Sequence, residues 1–96
     1  MIIRIFKVTV PRNLVEEFEP MFRSVSYEAV SQASGCTSVE IGRPFAGDTS
    51  EYVMISHWHD LDSLKKFAGE NWEQPHIPNG MEKFVSKCSI HHYYGM

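Results

Sequence analysis

Residues 2–10 read Ile-Ile-Arg-Ile-Phe-Lys-Val-Thr-Val. Side chains alternate between the two sides of an extended chain, so Ile2, Phe6, Val8 and Val10 fall on one face and Ile3 and Ile5 on the other. A strand that is apolar on both faces needs cover on both. The chain has 96 residues, enough for one domain, residues 1–96. A domain of this size buries only about 60–70% of the surface its unfolded form exposes. One modest core covers one face. The other face calls for cover from outside the chain, and a second copy of the same chain is the simplest source.

The remainder reads as alternating elements. Pro11 ends the first strand, and Asn13 with Glu16 has the spacing of a capping box. Apolar residues then recur at Val15, Phe18, Phe22, Val25 and Ala29, a spacing that predicts a helix running to about residue 34. Pro20 lacks the N–H that would bond to the carbonyl of Glu16, so a kink is expected there, or a helix that starts near Glu19. Gly35 stops the helix. Residues 37–45 alternate, with Val39, Ile41 and Phe45 inward; Gly47, Asp48 and Thr49 form a turn; residues 51–59 form the next strand, completing a hairpin. In that strand Tyr52, Met54, Ser56 and Trp58 share one side, and Val53, Ile55, His57 and His59 the other.

Asp60 caps a short helix carrying Leu61, Leu64 and Phe67, which Gly69 ends. Residues 70–80 are irregular and hold Trp72, Pro75, His76 and Pro78. Asn79 and Glu82 form a second cap pair ahead of Met81, Phe84 and Val85, and residues 87–94 make the last strand. The order is βαββαβ with a broken second helix. Its simplest solution is an α+β, ferredoxin-like fold: an antiparallel four-stranded sheet with the helices on one face.

Composition narrows the function. Nine basic against twelve acidic residues give a net charge of −3, without the basic footprint of a nucleic-acid or anionic-membrane binder. No apolar run approaches the ~18 residues of a membrane span, and no leader-like segment precedes the first strand. A cytoplasmic protein is expected, with Cys36 and Cys88 as reduced thiols. No phosphate loop, nucleophile elbow or zinc-ligand spacing occurs.

Four groups of residues remain. His57 and His59 project from one strand face, where they either begin a metal site or are hydrogen-bonded and solvated; no third ligand is evident, and no metal is expected. His91 and His92 point to opposite faces, with a structural role in which the ring donates to a carbonyl. Trp72 and His76 lie on one side if residues 71–76 make a helical turn. They then offer an indole wall and a proton acceptor for a planar substrate, or else Trp72 plugs the gap left by a broken helix and His76 caps a turn. Phe6, Phe22, Met54, Trp58, Phe67, Met81 and Phe84 form a core that can also line an apolar pocket.

The first strand, the helix bearing Phe18, the Gly35-Cys36 turn, the strand ending in Trp58 and the run Phe67-Ala68-Gly69-Glu70-Asn71-Trp72-Glu73-Gln74-Pro75-His76-Ile77-Pro78 come in an order, closed by His92-Tyr93, that resembles the antibiotic biosynthesis monooxygenase family. The resemblance spans nearly the whole chain. It implies a dimeric α+β barrel and, in the cofactor-independent branch, oxygenation of an aromatic or quinol-like substrate through its anion. His76 would be the base, and Trp72, Phe67, Trp58, Phe22 and His92 the substrate-binding wall. The haem-degrading branch uses an Asn, a Trp and a ligating His; here Phe6-Lys7 and Phe67 stand at the first two positions and only His76 matches. The expectation is therefore a homodimer that binds a small aromatic molecule without a cofactor. The alternative is a ligand-binding or stress-associated module of the same build that turns nothing over.

Overall fold

The computed structural model describes residues 1–46 and 50–96, so the expected turn at Gly47, Asp48 and Thr49 lies outside the described residues. The strands are β1 (Ile2–Thr9), β2 (Cys36–Gly42), β3 (Glu51–Trp58) and β4 (Lys87–Tyr94). All pairings are antiparallel, in the order β2-β3-β1-β4, the α+β ferredoxin-like arrangement expected from the element order. Ile5 of β1 stands between Ile55 of β3 and His91 of β4. Period-two alternation then sends Arg4, Val8, Tyr52, Met54, Ser56 and Trp58 inward, all buried. Ile3, Ile5, Val53 and Ile55 are half-buried on the opposite face.

The helical layer differs from the expected single helix. A 3-10 turn (Arg12–Leu14) leads into α1 (Val15–Met21), a π-helical turn (Phe22–Ser26) and α2 (Tyr27–Ser31). Asn13 lies inside the first turn, which closes with the Leu14 N–H on the Pro11 carbonyl at 2.8 Å, and no side chain caps either opening segment. The capping box is therefore absent because the helical path begins ahead of it. Pro20 is accommodated inside α1, and the helix widens at the next turn, where the Tyr27 N–H reaches back five residues to the Phe22 carbonyl.

That widening moves the inward face. A π turn holds one residue more than an α turn, so the inward position after Phe22 passes from Val25 to Ser26. Val25 is 38% exposed and Ser26 only 9%, and Val30, rather than Ala29, packs on the core. Phe18 and Phe22 stack at 4.9 Å, and Phe18 meets Tyr52 at 4.9 Å and Phe84 at 5.5 Å, both edge-on. Each such pair adds about 0.5–1.5 kcal/mol beyond its buried area.

Two further expectations change. β2 stops at Gly42, and Phe45 is fully exposed rather than inward. A bulge sets Cys36 opposite Trp58 and Ser38 opposite His57, two residues' advance against one. α3 (Leu61–Ala68) has the expected cap, the Ser63 N–H donating to Asp60 Oδ1 at 2.8 Å, and ends at Gly69 with φ +82°. The segment 70–80 crosses the end of the sheet as an irregular strap. At its far end the expected Asn79 cap does not form: the 3-10 turn Glu82–Phe84 has no side-chain cap, and the Glu82 carboxylate accepts from the Gly80 N–H at 2.7 Å.

Candidate functional site

The π turn, the sheet and the strap enclose a cavity of about 50 Å³. Its walls are apolar, with Phe22 from the π turn, Phe6 and Met54 from the sheet, Phe67 from α3, and Ile77 and Met81 beyond. Four polar side chains enter it: Arg4, Ser26, Ser56 and His76. Ser26 is there because of the extra residue in the π turn, and Arg4 and Ser56 because strand parity turns them inward.

His76 sits on the strap with its ring 5.0 Å from that of Phe67. Burial, and then the positive charge of Arg4, lower its pKa below the usual histidine value, so at neutral pH it is an uncharged imidazole able to accept a proton. Arg4 is 5% exposed. Its Nη1 donates to the Trp72 carbonyl at 2.7 Å and to His92 Nε2 at 2.9 Å, and its Nη2 to the Gln74 carbonyl at 3.3 Å. A guanidinium only donates, so His92 accepts at Nε2 and carries its own proton on Nδ1. Burial lowers the Arg4 pKa to about 10, which leaves it charged at neutral pH.

Of the base and substrate-binding residues expected from the sequence, His76, Phe67 and Phe22 line this cavity, together with Phe6, Met54 and Met81 of the expected apolar lining. Trp58 stands behind the wall, fully buried, its ring 5.2 Å from Phe67 and its indole N–H donating to Ser56 Oγ at 3.0 Å. Trp72 and His92 lie elsewhere. Their rings meet edge-on at 5.0 Å and line a second, more open hollow of about 370 Å³ with Met1, Ile2, Leu61 and Tyr94. The helical turn that would have put Trp72 beside His76 does not form: the strap turns once, with the Gln74 N–H on the Asn71 carbonyl, and has no regular structure from Pro75 to Pro78. His92 also departs from its expected role, since its ring accepts from Arg4 instead of donating to a carbonyl.

His57 and His59 are separately engaged, and His91 is exposed. His57 Nδ1 meets Ser38 Oγ at 2.9 Å, and His59, which falls just beyond β3, meets Asp60 at 3.2 Å. The two therefore do not form a ligand pair, and no cluster of three metal-binding side chains occurs among the described residues. Arg4 is the site residue that the sequence reading passed over. The signal was present in its parity, because a residue between Ile2 and Phe6 on a two-sided apolar strand must point into the core or toward the open face.

The family model for antibiotic biosynthesis monooxygenases matches residues 1–73. The chain belongs to the antibiotic biosynthesis monooxygenase family. Solved structures support the assignment at the level of fold. A putative antibiotic biosynthesis monooxygenase from Deinococcus radiodurans superposes with a TM-score of 0.78 at 12% identity, covering 100% of this chain and 93% of that one. A second, from Nitrosomonas europaea, gives 0.76 at 14% identity, covering 100% and 99%. The haem-degrader MhuD from Mycobacterium tuberculosis, with two haems bound in its active site, gives 0.69 at 20% identity, covering 97% and 93%. No curated protein sequence matches the chain. Within this antibiotic biosynthesis monooxygenase domain the family match ends just before His76. A macrocycle the size of haem does not fit the cavity as it stands.

Proposed function

We propose that this chain is a cofactor-independent monooxygenase of a small aromatic or quinol-like substrate, with His76 as the base. The observation that carries the reading is an imidazole held neutral in a cavity with aromatic walls and a cation beside it. A substrate such as an anthrone has a doubly benzylic methylene next to a conjugated carbonyl. His76 removes one of its protons, and the electron-rich anion reduces oxygen directly, adding it as a peroxide. Loss of water then leaves a ketone. One oxygen atom enters the product, the other leaves as water, and the two C–H bonds supply the electrons. The protein contributes the base, exclusion of water and hydrogen bonds to the anion.

The cavity is smaller than the ~300 Å³ at the lower end of small-molecule sites, so the strap must move for such a substrate to enter. Its two ends suit that movement. Gly69 and Gly80 have φ of +82° and +89°, with open space where a Cβ would stand. The second hollow, already within the ligand size range, favours the other reading, a binding module without turnover in which Trp72 and His92 hold an aromatic ligand. The protein is further proposed to work as a single-domain chain in the cytoplasm, paired with a second copy across the open sheet face.

Oxygen uptake decides between turnover and binding. With a panel of anthrones and hydroquinones the protein is expected to consume oxygen, and His76→Ala to lower that rate by about 10²–10⁴-fold, the usual contribution of a general base. Binding without uptake supports the module. Uptake that His76→Ala leaves unchanged removes His76 from the chemistry.

A further inference from the structure

Arg4 carries a unit charge into an apolar wall, and every acceptor that meets it is neutral: two strap carbonyls and the imidazole of His92. No carboxylate is among the hydrogen-bond partners of its guanidinium, and burial alone accounts for its lowered pKa, with no opposing charge beside it. Burying a charge costs several kcal/mol unless an opposite charge offsets it. Tying the strap to the sheet does not require one, because a neutral amide side chain donates two hydrogen bonds without that penalty. The same guanidinium borders the cavity that holds His76, Phe22 and Phe67. The Glu73 carboxylate acts on the neighbouring His92 ring, but the guanidinium itself has no anion bonded to it.

We propose that Arg4 is the anion-binding residue of this cavity, and that its ligand is a small aromatic molecule bearing an anionic oxygen. The proposal rests on this cavity being the binding site, as in the function proposed above. A carboxylate or phenolate oxygen is a stronger acceptor for a guanidinium than a peptide carbonyl. On arrival it takes over donors now given to Trp72 and Gln74. Both of those residues lie on the strap between the Gly69 and Gly80 hinges, so the exchange removes the strap's tethers to β1 as the ligand enters. Anion binding and enlargement of the cavity are one event.

The anionic oxygen has two sources: a carboxylate that the ligand already carries, or a phenol that ionises on binding. The test measures affinity, not turnover, on the intact protein, so it can fail while oxygen uptake succeeds, and the reverse. Isothermal titration with 2-naphthoate and its neutral counterpart 2-naphthamide is expected to show a preference for the anion of about 10–100-fold, the worth of a hydrogen bond to a charged group. Arg4→Gln is expected to abolish the preference, and Arg4→Lys to keep part of it. In the second arm, 4-nitrophenol near its own pKa is expected to gain phenolate absorbance on binding to the wild-type protein and not to Arg4→Gln. A response in either arm with the Arg4 dependence supports the proposal and names the source. Equal affinity for the acid and amide together with no gain in phenolate overturns it, as does binding of neither compound. The comparison of ligands on the wild-type protein needs no variant, so it decides the matter even if Arg4→Gln fails to fold.

Discussion

Protonating His76 or His92 is harder in the folded chain than in the unfolded one. Burial is the first cause in both, and the charge of Arg4 the second. Above the ordinary histidine pKa of 6.5 both rings are neutral folded or unfolded, and they contribute nothing to pH dependence. As pH falls through about 6.5 the unfolded chain takes up protons that the native chain does not, so stability falls with pH. Urea unfolding midpoints are therefore expected to drop from pH 7.5 to pH 5.5, and His76→Gln to flatten part of that slope. A midpoint that rises on acidification would show that these rings are not held neutral. Arg4, the second cause in both, illustrates what a sequence conceals at this scale. Its direction followed from strand parity, but its acceptors come from positions 68 to 88 residues away in the chain, and no local pattern announces them.

Between elements, Gly35 is the tightest joint. It has φ +91°, and a Cβ there would come within 2.3 Å of Ser63 Cβ in the first turn of α3. Gly35→Ala thus meets both a left-handed backbone penalty and a clash with a short, inflexible side chain, together about 2–5 kcal/mol. Adding Ser63→Gly removes the clash but not the backbone penalty, so the double variant is expected to recover to a loss of about 1–2 kcal/mol in chemical denaturation. If the two losses simply add, the contact is not the cause. Elements were the most legible level of this chain: strand parity, Asp60 as a cap and Gly69 as a stop all follow from local chemistry, whereas the helix expected to run as far as Gly35 ends at Ser31, and Gly35 serves the following turn. The helical layer was less so. Pro20 marked a disturbance, but a kink, a late start and a π turn all answer the loss of one N–H. Only the π turn shifts the phase that exposes Val25 and buries Ser26. The strap was least legible, because Pro75 and Pro78 exclude regular structure without saying which way Trp72 and His76 turn.

At the scale of the whole molecule, among the described residues the helices pack on the buried side of the sheet and leave the face bearing the half-buried Ile3, Ile5, Val53 and Ile55 open. Light scattering is expected to give about 22 kDa, twice the 11.1 kDa of one chain, because apolar sheet surface is best hidden against its own copy. Ile55→Asp, at the position paired with Ile5, is expected to shift the mass to that of one chain. A monomeric wild-type protein would end the dimer reading. Trp58, finally, joins the interior to something an observer can see. Its indole is sealed from water, bonded to the Ser56 hydroxyl that borders the cavity, and one ring removed from His76 through Phe67. With only one other tryptophan in the chain, at position 72, replacing Trp72 by phenylalanine leaves a single emitter beside the cavity, and the protein becomes its own fluorescent gauge of what enters.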